Sequence, residues 1–143
     1  MTGKKKILLG YNLYFTSNEV TQVAIEHCKA FDATMLIVSS VVGHSLDKKT
    51  GEIANEEARA RLEQLESIVE QEGIEYEVHL LTRRSNAGDD LVRFASENDV
   101  YEMVIGFKER STIGEIVFGS NYRLMIGKAP CPVVTVHVRD NGD

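Results

Sequence analysis

Lys6-Ile7-Leu8-Leu9-Gly10-Tyr11 is a short apolar run with no polar alternation. A strand with one wet face alternates, so a run of this kind is expected of a strand buried on both faces. Working outward from it, Asn12 to Phe15 read as a turn. Thr16-Ser17-Asn18-Glu19 read as a capping box with Thr16 as N-cap. Val20, Val23, Ala24, Cys28 and Phe31 follow at helical spacing and form one apolar stripe, on which Cys28 is a core thiol. Met35-Leu36-Ile37-Val38 opens a second buried strand that runs on through Ser39 and Ser40 to Val42.

The pattern then repeats. Ala58, Leu62, Leu65 and Val69 are spaced three and four apart between charged residues, which predicts an amphipathic helix from Asn55 to Glu72, with Gly73 as its C-cap. Ile74 to Leu81 is a third strand with weaker alternation, suited to an edge. Asn86 to Glu97 is a third helix, apolar at Leu91, Val92, Phe94 and Ala95, with Asp89 and Asp90 suited to the positive end of its dipole. Met103-Val104-Ile105-Gly106 is a fourth strand. Gly119-Ser120 opens a short helix through Leu124 and Met125 to Gly127, Pro130 and Pro132 end it, and residues 133–138 form a fifth strand. Strands alternating with helices argue for an α/β fold: a three-layer, doubly wound, parallel five-stranded sheet in the flavodoxin-like order 3-2-1-4-5. Between Gly43 and Gly51 lies a polar stretch without period, long for a connection. It reads as a loose surface loop or as a lid over a ligand.

Length and charge narrow the field. The chain has 143 residues, which suits one domain over 1–143. Twenty-two acidic against sixteen basic side chains give a formal charge of −6, and only Lys4-Lys5-Lys6 and Arg83-Arg84 concentrate positive charge. Those two groups read as solvated ends, so nucleic acid is not an expected partner. No apolar run approaches the ~20 residues of a membrane helix, so no membrane is expected. Two distant cysteines fit a reducing cytoplasm rather than a disulfide framework.

The chemistry begins with exclusions. The chain has no phosphate-binding G-x-x-x-x-G-K-[ST], and no G-x-G-x-x-G follows the first strand. It has no G-x-S-x-G elbow either. His27, His44, His79 and His137 fall on different elements without metal spacing. No catalytic set emerges, and an enzyme is not expected.

In the order 3-2-1-4-5 a ligand binds between the carboxyl ends of the first and fourth strands. That places Tyr11-Asn12-Leu13 and the segment from Gly106 to Ser120 at the candidate site. Gly106 leaves a buried strand and lets a ligand approach the backbone. Gly119-Ser120 at a helix start offers free N–H groups, a hydroxyl and the positive end of a helix dipole, which together suit phosphates. Two ordinary turns would account for the same residues.

Met103-Val104-Ile105-Gly106 through Gly119-Ser120, followed by Ala129-Pro130-Cys131-Pro132-Val133-Val134, resembles the universal stress protein family, whose nucleotide motif is G-x-x-G-x9-G-[ST]. The likeness reaches back through Ile7-Leu8-Leu9 and covers essentially the whole chain. It implies the family's adenine-nucleotide-binding form of the doubly wound sheet, and a cytoplasmic homodimer with a regulatory role in stress response. It also implies an ATP site, with Mg²⁺ as companion. The resemblance assigns Gly106, Gly119 and Ser120 to phosphates, with Arg110 and Asn121 beside them. It gives Asn12 the ribose, and Ser40 and Val41 the adenine through their backbone.

Two positions depart from the family pattern. Asn12 replaces an acid but still donates and accepts hydrogen bonds. Glu109 stands where the motif has its second glycine, and its charge has the sign of the phosphates. Like charges ~4 Å apart at an effective dielectric of ~20 repel by about 4 kcal/mol. Lys108, Arg110 or Mg²⁺ can offset part of this. The site is therefore expected to be degraded. The alternative of the same fold is a dimeric interaction module without nucleotide. Its contact would be the last strand, where Val133, Val134, Val136 and Val138 make both faces apolar. A slow ATP hydrolase, with Glu109 as base and Arg110 as stabiliser, is the least favoured reading.

Overall fold

The computed structural model describes residues 3–12, 18–84, 86–107 and 122–138. The elements run β1 (Lys6–Gly10), α1 (Asn18–Phe31), β2 (Thr34–Val41), α2 (Glu56–Gln71), β3 (Tyr76–Thr82), α3 (Ala87–Glu97), β4 (Glu102–Phe107), α4 (Tyr122–Lys128) and β5 (Val133–His137). The five strands form one sheet in the order β3-β2-β1-β4-β5, and every neighbouring pair is parallel. Register is tight at the centre: Leu8 lies opposite Leu36 on one side and Met103 on the other.

β1 has no wet face. Ile7 and Leu8 are fully buried and Leu9 is 1% exposed. Ile7 and Leu9 join a cluster with Val20, Ala24 and Cys28 of α1 and Ala58, Leu62, Leu65 and Val69 of α2. Leu8 joins a second cluster with Leu91, Phe94 and Ala95 of α3 and Met125 of α4. The first two helices therefore cover one face and the last two cover the other. Parallel strands require crossovers, and these crossovers supply both covers.

Local signals set the helix ends. Asn55 caps α2, its Oδ1 accepting from Ala58 N at 2.8 Å, and Glu56 and Glu57 occupy the first turn. Gly73 ends the same helix at φ +76°, a conformation that side chains with a Cβ resist. Asn86 caps α3 by accepting from Asp89 N at 2.9 Å.

Three expectations are corrected. The Gly43 to Gly51 stretch is not loose. It opens with a 3₁₀ turn over Gly43–Ser45 and closes through a bridge between Leu46 and Ile53. Within it Asp47 Oδ1 accepts from Lys49 N at 2.7 Å and Thr50 N at 3.3 Å, and Ile53 anchors the loop in the core at 2% exposure. Phe31, expected on the buried stripe of α1, is 39% exposed. It lies edge-on to Tyr101, and Lys5 Nζ stands 4.5 Å from the Tyr101 ring centre. Lys4, Lys5, Arg83 and Arg84 are exposed, as expected of solvated ends, and they also have partners: Lys4 pairs with Asp32 and Glu75, Lys6 donates to Asn98 O, and Arg83 is hydrogen-bonded to Ser40. Finally, β5 does not have two apolar faces. Its alternation sends Val134, Val136 and Val138 to the α1 and α2 side, and Val133 alone of the four to the other. Thr135 and His137 share that side with Val133 and are exposed. The Thr16 capping box lies outside the described residues.

Asn55→Ala removes the α2 cap and is expected to cost about 1 kcal/mol. Urea unfolding should show a lower midpoint with an unchanged slope, and a melting temperature lowered by about 3–4 °C. An unchanged midpoint contradicts the cap.

Candidate functional site

The order of the sheet changes direction at β1. β2 and β3 lie on one side of it, β4 and β5 on the other. In open parallel sheets a ligand crevice lies outside the carboxyl ends of the strands at such a reversal, here those of β1 and β4. Asn12 follows β1 and is half-buried. Gly106 lies in the last two residues of β4 and is buried. Ser40 and Val41 end β2 at 8% and 3% exposure. The structure therefore brings Asn12, Ser40, Val41 and Gly106 to the same end of three adjacent strands. Glu109, Arg110, Gly119, Ser120 and Asn121 lie outside the described residues.

The end of β2 is held more firmly than its sequence shows. Ser40 Oγ donates to Asp90 Oδ2 at 2.8 Å and accepts from Arg83 Nε at 3.2 Å. Arg83 Nη2 donates to Ser40 O at 2.8 Å, and Arg83 N donates to Val41 O at 2.6 Å. Asp90 is 2% exposed and is satisfied on both oxygens: Arg84 N donates to Oδ2 and Arg93 Nη1 donates to Oδ1, both at 3.2 Å. A buried carboxylate needs such donors, because unpaired charge is expelled from the interior.

The sequence singles out Tyr11 with its neighbour Asn12, but neither Asp90 nor Arg83 as a site residue. Asp90 reads there as one of two acids at a helix start. The missed signal was its place beside Leu91, Phe94 and Ala95 on the buried stripe of α3. The Tyr11 hydroxyl is buried on the α1 and α2 side and has no hydrogen-bond partner among the described residues. Burial pushes its pKa up, and the nearby Arg61 charge pulls it back.

The opposite, amino end of the sheet holds a different polar pair. His27 Nδ1 lies 2.7 Å from Glu102 Oε1, with Glu102 7% exposed as a residue. Ser40 and Asp90 touch without a histidine bonded to either, so they form no nucleophilic triad. Among the described residues no group of three His, Cys, Asp or Glu side chains is arranged to hold a metal ion. Among them, too, no helix is long and apolar enough to cross a membrane.

With this geometry in view, comparison with known proteins is decisive. The model of the universal stress protein family matches residues 4–137. The chain belongs to the universal stress protein family. A universal stress protein from Archaeoglobus fulgidus is 31% identical, with 92% of this chain and 98% of that one covered at a TM-score of 0.69. A structure of the universal stress protein from Archaeoglobus fulgidus in complex with dAMP is 30% identical, covering 92% and 97% at a TM-score of 0.68. A universal stress protein family member from Arabidopsis thaliana with AMP bound shares the fold at a TM-score of 0.60, with 13% identity and 96% and 94% coverage. No curated protein matches the chain. The doubly wound order expected for a universal stress protein is the observed one.

Cys28 is no nucleophile in this universal stress protein. Burial, and then the Glu102 charge, push its thiol up to about 12. The native state thus keeps this proton where the unfolded chain loses it. Cys28 stabilises the fold fully below the ordinary thiol range, and that contribution fades as pH rises toward 12. At pH 8.5, iodoacetamide should modify half-buried Cys131 well before Cys28 in the native protein, and both alike in urea, as read by peptide mass spectrometry. Equal native rates contradict this.

Proposed function

We propose that this chain binds an adenine nucleotide at the carboxyl ends of β1, β2 and β4 and acts as a regulatory, non-enzymatic protein of stress response in the cytoplasm. The observation that supports the reading most is the switch of sheet order at β1. It gathers Asn12, Ser40, Val41 and Gly106 at the place where parallel α/β sheets take ligands. A relative 30% identical over nearly its whole length has been solved with dAMP.

In this reading the Asn12 amide serves the ribose, offering both donor and acceptor. The main chain at Ser40 and Val41 borders the base. Gly106 gives the phosphates close access, because it has no Cβ. Gly119 and Ser120, with Arg110 and Asn121, complete the phosphate end. Glu109 opposes it by charge, so the affinity for ATP is lower than the topology alone would give.

ATP with Mg²⁺ at millimolar concentration should raise the melting temperature, since a ligand that binds only the native state stabilises it. Glu109→Gly should bind ATP about tenfold more tightly, which corresponds to recovering about 1.4 kcal/mol of the repulsion. No shift with ATP or dAMP for either protein would leave the fold without its nucleotide, as a protein-interaction module. Tight binding by the parent chain with loss of turnover alone in Glu109→Gly would instead make it a slow hydrolase.

A further inference from the structure

Asp90 is a charged side chain at 2% exposure, and α3 does not explain why it is there. The helix start is already capped by Asn86, and Asp89 already faces the dipole. Apart from Arg93 on its own helix, the groups that reach the Asp90 carboxylate come from elsewhere: Ser40 at the end of β2 and Arg84 after β3. The contacts form a chain with a fixed sense. A carboxylate only accepts and a guanidinium only donates, so the Ser40 hydroxyl must give its proton to Asp90 and receive from Arg83. Arg83 then closes the chain on the Ser40 carbonyl at 2.8 Å. Both the side chain and the main chain of Ser40 are thereby fixed from two other elements.

We propose that Asp90, acting through Ser40 and Arg83, is a positioning residue that sets the end of β2 as the base-reading wall of the nucleotide site. The inference rests on the nucleotide reading above and adds where its base preference comes from. A wall that reads a base must hold its donors and acceptors to within a fraction of an ångström. β3 pairs with β2 through Ser40 and Val41, opposite Leu81 and Thr82, which fixes their main chain against one neighbour. The Asp90 carboxylate, carried on a packed helix, adds a side-chain constraint from a second element without touching the ligand.

The test uses the full chain and two ligands, dAMP and the thymidine monophosphate with the same sugar and phosphate. Their affinities are measured by titration calorimetry beside the melting temperature of each variant. The parent chain should prefer dAMP about tenfold or more. Ser40→Ala, Asp90→Asn and Arg83→Ala should each bring that preference down toward one; in Asp90→Asn and Arg83→Ala, whose side chains stand outside the binding set, affinity for the thymidine nucleotide changes by less than about twofold. Arg83 is an exposed side chain, so its variant carries the test if Asp90→Asn does not fold. An unchanged preference in folded Ser40→Ala and Arg83→Ala overturns this inference and leaves nucleotide binding standing. Equal loss for both ligands also overturns it, because general loosening does not distinguish bases. Failure of the parent chain to bind dAMP overturns the nucleotide reading and this inference with it.

Discussion

A strand buried on both faces must be covered twice, and β1 is such a strand. Ile7, Leu8 and Leu9 are essentially without solvent contact, so helices must pack above and below. Right-handed crossovers put helices on one face when the chain moves one way along the sheet and on the other when it moves back. The chain therefore builds β2 and β3 on one side of β1 and returns to build β4 and β5 on the other. The reversal of strand order between β1 and β4 is the geometric consequence. A hydrophobic requirement on three residues thus fixes where the order turns.

Polar groups are then spent sparingly in the interior, at the two ends of the sheet. At the amino end Glu102 meets His27, beneath the exposed Phe31 and Tyr101 rings and Lys5. At the carboxyl end Asp90 meets Ser40, with Arg83, Arg84 and Arg93 around them. A buried carboxylate without donors is costly, so Glu102 and Asp90 are each held beside hydrogen-bonding partners. The two differ in reach. The Glu102 pair joins β4 to α1 and stays away from the crevice. The Asp90 network joins α3 to the end of β2, which borders it.

Much of this was legible in the residue order. The unbroken apolar run at β1, the three-and-four spacing of Ala58, Leu62, Leu65 and Val69, and the breaks at Asn55 and Gly73 each carry a local physical signal. Local signals summed to the right sheet order, because few topologies satisfy them. What sequence hid was pairing across distance. Asp90 and Ser40 lie fifty residues apart, and nothing local marks one as the other's partner. Phe31 keeps helical phase with the core, yet lies at the last turn of α1, beyond the sheet that would cover it. The residues from Gly43 to Gly51 lack a period, but Asp47 folds them through its own carboxylate. At the candidate site, Asn12 and Gly106 were legible because strand ends and glycines mark turns. Asp90 and Arg83 were not, because each looks ordinary until its neighbours are known.

The central claim is that sheet order converges Asn12, Ser40, Val41 and Gly106 on one ligand. Amide NMR of the isotopically labelled chain, titrated with dAMP, tests it directly. Saturable shifts concentrated at those four residues are the result the account requires. Shifts confined to the amino end, around Lys5, Phe31 and Tyr101, or no shift at saturating dAMP, would contradict it.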